Sequence, residues 1–182
     1  MSMRNDKGGL KHVADVSDKW MTNIERIHED GCDKDKLTTG VESVDEVLGH
    51  KGMRRGSLVV VGARPKMGKT AFLSLMSNHI ALDLNLPACI FSMEMPDDAI
   101  FERGLSGRAN LDPSVFYRKH KSDTDNARTE MAYGDMLRSK LYIDDTPAMN
   151  IQHIQKESRR IRKECGDMGI ICVDYLTLME AA

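Results

Sequence analysis

An α/β fold, with a mostly parallel sheet carrying helices on both faces, is what this 182-residue chain predicts. Two observations carry that prediction. Strand-like runs at 57–62, 88–93, 140–144 and 169–174 alternate with helical patterns, as in a parallel sheet covered on both sides. Two of the runs, ACIFSMEMP at 88–96 and GIICVDYLTLM at 169–179, are almost wholly apolar until they reach a carboxylate. That pattern describes a buried strand delivering a charge at its carboxyl end, the edge where open α/β sheets bind ligands.

Bulk properties set the frame. The length suits one domain with a sizeable core, and 41% hydrophobic with 30% charged residues is ordinary for a soluble globular protein. A net charge of -2 argues against a broadly basic nucleic-acid surface while leaving room for a local one. Cys32, Cys89, Cys165 and Cys172 form no C-x-x-C pair, so a reduced cytosolic setting is expected, without structural metal or disulfide. No apolar run approaches a membrane span, and the polar N-terminus lacks a signal-peptide core.

Residues 1–9 are polar and glycine-containing, and are expected to be disordered. From Leu10 to His28, the apolar residues Val13, Val16, Trp20, Ile24 and Ile27 recur every three or four positions, which predicts an amphipathic helix. The charged, turn-rich segment at 29–36 separates it from the rest of the chain, so it either packs on its own domain or docks on a neighbouring subunit. Beyond the first strand, Phe72, Leu75, Met76, Ile80 and Leu84 mark one helical face. Pro96, Asp97 and Asp98 suit the start of another helix, the two acids favouring its positive end. Asn150 is a natural N-cap for a helix whose face carries Ile151, Ile154, Ser158, Ile161 and Cys165. The basic run KESRRIRKE at 156–164 occupies the polar face of that helix and is interleaved with Glu157 and Glu164, as a solvated face would be.

The chemistry concentrates in GARPKMGKT, residues 62–70, directly after the apolar LVVV. A strand running into a glycine-containing loop that ends Gly68-Lys69-Thr70 and opens a helix is how a triphosphate cradle is built. Backbone N–H groups and the helix N-terminus face the phosphates, lysine adds a point charge, and the hydroxyl reaches Mg²⁺. The predicted phosphate-binding set is Gly62, Ala63, Arg64, Pro65, Lys66, Met67, Gly68, Lys69, Thr70 and Ala71. Lys69 is expected at the β- and γ-phosphates; as a bare helix-start cation it would oppose the helix dipole. In the strict form G-x-x-x-x-G-K-[ST] the first glycine falls on Ala63, with Gly62 one residue early, so the loop is a variant.

Asp174 is expected to hold Mg²⁺ through its water shell, making Thr70 and Asp174 the metal pair. Glu94 ends the second buried run, either as the group that deprotonates an attacking water or as a solvated loop glutamate. Asp144 and Asp145 end a third, in LYIDDTP, where they touch the metal shell or, as favoured here, cap the following turn. None of the six histidines has metal-ligand spacing.

The order of these motifs resembles the C-terminal ATPase domain of DnaB-type replicative DNA helicases, on a RecA-like fold. LTTGVESVDEVLG at 37–49 resembles the family's "TTG…LD…L" segment, and RRGSLVVVGARPKMGKTAF its phosphate loop, which commonly carries alanine at the position of Ala63. FSMEMP resembles the S-L-E-M segment, whose glutamate is the catalytic base, which assigns that role to Glu94. LYIDDTP and IICVDYLTLM come next in the family's order, and residues 10–28 resemble its linker helix, which docks on the adjacent protomer of a hexameric ring.

The resemblance implies an ATP- and Mg²⁺-dependent motor that translocates 5′-to-3′ on single-stranded DNA and unwinds duplex at the replication fork. A homo-hexamer, primase and a helicase loader are the implied partners, in a bacterial or phage-infected cytoplasm. Three segments are expected: a disordered 1–9, a linker helix and connector over 10–36, and a partial ATPase domain over 37–182. The family's sensor residue, DNA loops and arginine finger have no position before Ala182. The chain is therefore expected to be a fragment, weakly active or inactive alone. It is also expected to lack the strand that inserts between the Asp174 strand and the phosphate-loop strand. A nucleotide-binding assembly module without helicase activity, or another RecA-like ATPase, is the alternative.

Overall fold

The structure, a computed structural model, describes residues 10–30, 35–48, 52–64, 66–175 and 179. The expected disordered segment 1–9 and Pro65 lie outside the described residues. The chain divides into two compact units, Met1–Lys36 and Leu37–Ala182.

The first unit is helix α1 (Val13–Asp30), in the place the periodicity predicts but shifted toward the C-terminus. It starts where the His12 ring nitrogen accepts the Ala14 N–H at 3.2 Å. It buries none of its residues, and Val13, Val16, Trp20 and Met21 are all exposed.

Next along the chain come β1 (Lys36–Leu37), the short helix α2 (Glu42–Val47) and β2 (Met53–Arg54), β1 and β2 forming a two-stranded ladder. The TTG residues fasten this segment to the core. Thr39 donates its N–H to the buried Asp45 carboxylate at 2.7 Å, and the Thr38 hydroxyl lies 2.7 Å from His79 Nε2. Gly40 has φ +84, and a Cβ there would come within 2.8 Å of the His79 ring, so both conformation and space require glycine.

The main sheet has three parallel strands in the order β4 (Leu141–Asp144), β3 (Ala88–Ser92), β5 (Ile170–Asp174). All of β3 is buried, as a central strand covered on both faces must be. Its alternating side chains feed two cores. Ala88 and Ile90 pack with Met76, Ile80, Ile100 and Cys172 on one face; Cys89 and Phe91 pack with Met149, Ile154 and Ile161 on the other. Fully burying a side chain such as Phe91 or Ile90 contributes about 1.5–3 kcal/mol.

Helices make the parallel crossovers. Helix α3 (Lys69–Asn78) runs on into a π-helical turn, His79–Asp83. Its Met76 and Ile80 are buried as predicted, whereas Leu75 and Leu84 are exposed. Between β3 and β4 lie α4 (Asp97–Ala109), a 3₁₀ turn (Pro113–Tyr117) and α5 (Asp123–Arg138). Leu105 and Ala109 of α4 pack on Ala132 and Met136 of α5, and Arg108 ties Asp83 to Asp135 with two 2.9 Å ion pairs. Between β4 and β5 lies α6 (Ile151–Cys165), capped by Asn150, whose side chain accepts the His153 N–H at 2.9 Å. Ion pairs from Arg160 to Glu157 and Glu164 lace its outer face, as the solvated reading of its basic run expects.

One expected strand is absent. Residues 57–62 join no ladder among the described residues, and Leu58 and Val60 are 88% and 74% exposed. The residues have strand character, but a strand exists only with a partner to take its N–H and C=O groups. On the β5 side the described sheet ends at β5 itself. Among the described residues, the segment that leads into the phosphate loop has no strand partner.

Candidate active site

The site forms at the carboxyl edge of the sheet, where α3 begins. Gly68 precedes the helix with φ +87, the left-handed conformation that turns the chain into it. Among the described residues no side chain caps this N-terminus, so its first-turn N–H groups meet no side-chain acceptor there. A Cβ added at Gly68 would meet nothing within 4 Å, which leaves the mouth of the turn open.

Lys69 and Thr70, the first two residues of α3, both reach Asp174 at the end of β5. The Thr70 hydroxyl donates to Asp174 Oδ2 at 2.7 Å, and Lys69 Nζ lies 3.0 Å from Oδ1. Asp174 is 1% exposed, so its charge is held by these two groups rather than by water. The same pairing answers the electrostatic problem of a lysine at a helix N-terminus, since the carboxylate supplies the missing negative charge. The Lys69 ammonium also sits 4.3 Å from the centre of the Tyr175 ring, a cation–π contact. The sequence held no signal for Tyr175. Strand alternation would send the neighbour of Asp174 to the opposite face, and β5 ends before that rule applies.

The other predicted residues spread along the loop and beyond it. Gly62, Ala63, Arg64, Lys66, Met67 and Gly68 are exposed along the loop, and Ala71 is exposed on the first turn of α3. Glu94 is exposed two residues past β3, whose last residue Ser92 is in register with Asp174. The Met93 N–H donates to the Asp174 carbonyl at 2.8 Å, carrying the pairing one step into the Glu94 turn. Glu94 itself makes no hydrogen bond or ion pair among the described residues.

The acids that end β4 do not join this set, because β4 lies on the far side of β3 from β5. Asp144 accepts the Thr146 N–H at 3.0 Å and meets His153 Nε2 at 2.7 Å. Burial pushes its carboxyl up, but the bonds from Thr146 and His153 outweigh this and hold it below the usual carboxylate range. Asp145 accepts the Asp97 N–H at 3.2 Å. Asp144 caps the turn that follows it, as expected, whereas Asp145 caps the start of α4 instead.

A hydroxyl and a carboxylate side by side at an uncapped helix N-terminus form a hard-oxygen pair suited to Mg²⁺. The adjoining lysine and open turn suit the phosphates that such an ion accompanies. The donor set therefore fits a magnesium nucleotide. Fold and site together define a phosphate-loop nucleotide-binding domain of the α/β class.

The comparisons with known proteins narrow that class. The model of the DnaB-like helicase C terminal domain family matches residues 36–182, and the chain belongs to that family. It is 30% identical to the replicative DNA helicase DnaB of Geobacillus stearothermophilus, across 100% of this chain and 39% of that protein. The replicative DNA helicase DnaC of Bacillus subtilis (strain 168) gives the same 30% identity and the same coverage, 100% and 39%. The chain thus spans 39% of the length of these curated relatives. Among solved structures, the ATPase domain of G40P superposes with a TM-score of 0.75 at 23% identity, over 92% of this chain and 59% of that one. A DnaB-like replicative helicase, studied with its interactions with primase, gives 0.76 at 23%, over 97% and 41%. These likenesses show the RecA-like fold.

Proposed function

We propose that this chain is the nucleotide-binding part of an ATP-dependent replicative DNA helicase. The convergence of Lys69 and Thr70 on the buried Asp174 carries the proposal. Thr70 and Asp174 would hold Mg²⁺, Thr70 through its hydroxyl and Asp174 through the ion's water shell, and the bound ion would neutralise phosphate charge. The loop from Gly62 to Ala71 would cradle the triphosphate, its non-proline N–H groups taking the oxygens. Lys69 would leave Asp174 to meet the β- and γ-phosphates. Glu94, exposed and unpaired two residues past β3, would accept a proton from the attacking water as its oxygen bonds to phosphorus and the bridging oxygen leaves on ADP.

Family membership supports the wider reading. Single-stranded DNA would be the track, and strand separation would be the work of the assembled protein, in the cytoplasm of a bacterial or phage-infected cell. The exposed apolar face of α1 supports its role as the linker helix of a homo-hexamer, preceding in the chain an ATPase domain at 37–182. Primase is a proposed partner because a structural relative was studied with it, and a helicase loader because of the family.

The test is Mg²⁺-dependent binding of a fluorescent ATP analogue to the 182-residue protein. Lys69→Ala and Asp174→Ala should each weaken binding by roughly 10-fold or more, consistent with loss of a charge-assisted contact of about 1.5–3 kcal/mol. Glu94→Gln should bind normally and lose hydrolysis by roughly 10²–10⁴-fold. Mg²⁺-independent binding, or binding indifferent to Lys69, overturns the proposal.

A further inference from the structure

Glu94 sits on a short link between the end of β3 at Ser92 and the start of α4 at Asp97. Both ends of that link are tied by groups with no catalytic assignment. At the β3 end, the buried Ser92 hydroxyl donates to the Met95 carbonyl at 2.7 Å and accepts the Met95 N–H at 3.1 Å, closing a ring around Met93 and Glu94. At the α4 end, Pro96 occupies the N-cap position and offers no side-chain cap. The cap comes from another element, as the Asp145 carboxylate beyond β4 accepts the Asp97 N–H at 3.2 Å. An anion there is favoured by the helix dipole as well as by the hydrogen bond. The backbone carrying Glu94 is thus anchored to β5 through Met93 and to β4 through Asp145.

We propose that Asp145 is a positioning residue for Glu94, holding the start of α4 so that the glutamate turn keeps one geometry at the carboxyl edge of the sheet. This rests on the reading of Glu94 as the group that prepares the attacking water. A general base works only within hydrogen-bond reach of its proton, and a displacement of about 1 Å costs on the order of 10²-fold in rate. Asp145 lies across β3 from the Asp174 pair, so releasing its cap moves the base without touching the groups assigned to phosphate and metal.

The experiment is single-turnover hydrolysis of γ-labelled ATP by the full chain, with nucleotide affinity measured separately. Asp145→Ala should slow hydrolysis by roughly 10- to 100-fold and leave affinity unchanged. Asp145→Asn, which keeps an acceptor oxygen, should restore the rate to within about 3-fold of wild type, a difference near 0.6 kcal/mol. In a Glu94→Gln background, Asp145→Ala should have no further effect, because the cycle closes on one shared group. Should Asp145→Ala not fold, Asp97→Pro removes the N–H from the other side. Proline is tolerated at the first position of a helix, and Pro96 already has the extended conformation, ψ 159, that a following proline demands. The same slowing is expected there. Unchanged hydrolysis in these variants, with Glu94→Gln impaired, overturns the inference and leaves the function standing. Slowing that persists in the Glu94→Gln background assigns Asp145 to general stability and overturns it too. Turnover that Glu94→Gln does not lower removes the reading of Glu94 and this inference together.

Discussion

The Thr70 hydroxyl and the Asp174 carboxylate, 104 residues apart in the chain, meet at 2.7 Å. Their contact joins the first turn of α3 to the last residue of β5, and Lys69 closes on the same carboxylate from 3.0 Å. The groups assigned to phosphate and metal satisfy one another.

That mutual satisfaction makes Lys69 a stability residue. Lys69→Met should leave the buried Asp174 charge with only the Thr70 hydroxyl, costing about 1–3 kcal/mol because Lys69 itself is partly solvated. A melt without nucleotide should show Tm lower by about 3–10 °C. Asp174→Asn should cost less, since it removes the buried charge and keeps an acceptor for Thr70. Equal losses in both variants would show that the charge is not what Lys69 answers.

Asp144 should make the protein acid-sensitive. Its carboxyl is held below the ordinary range by Thr146 and His153, against the upward push of burial. A group with a depressed folded pKa stabilises the fold above its unfolded value. That contribution disappears as pH falls through the folded value, in the window below about pH 4. Asp144→Asn should therefore lower Tm at pH 7, and its offset from wild type should shrink as pH falls below about 4. A constant offset across that range would contradict the assignment.

The core thiols should be inert. Burial pushes Cys89 up to about 12 and Cys172 up to about 11, leaving almost no thiolate at pH 8. A brief iodoacetamide pulse followed by mass mapping should find both unmodified in native protein and alkylated after denaturant is added. Native labelling of Cys89 at pH 8 would contradict its placement in the core.

The unpaired segment should exchange amide hydrogens freely. Segment 58–61 lacks ladder partners among the described residues, whereas Ala88–Ser92 is bonded on both sides. Hydrogen exchange should show protection higher by several orders of magnitude at 88–92 than at 58–61. Equal protection would mean that the phosphate-loop segment pairs in solution.

The amino-acid sequence by itself determined much of this protein. Apolar runs located β3, β4 and β5, Asn150 announced the start of α6, and Gly68-Lys69-Thr70 with Asp174 named the candidate site. All of these rest on local rules. Period, caps and turn residues act over a few positions, and a charge ending a buried strand is visible in one line of text. Tertiary structure alone decided the rest. Residues 57–62 have the composition of a strand, but a ladder needs a neighbour, and among the described residues none lies beyond β5. Asp144 and Asp145 look alike in sequence, yet one caps its own turn and meets His153 while the other caps α4. Tyr175 was invisible until the fold carried the end of β5 against the start of α3. Partnership across tens of residues depends on which surfaces the chain brings together, and no local pattern encodes that.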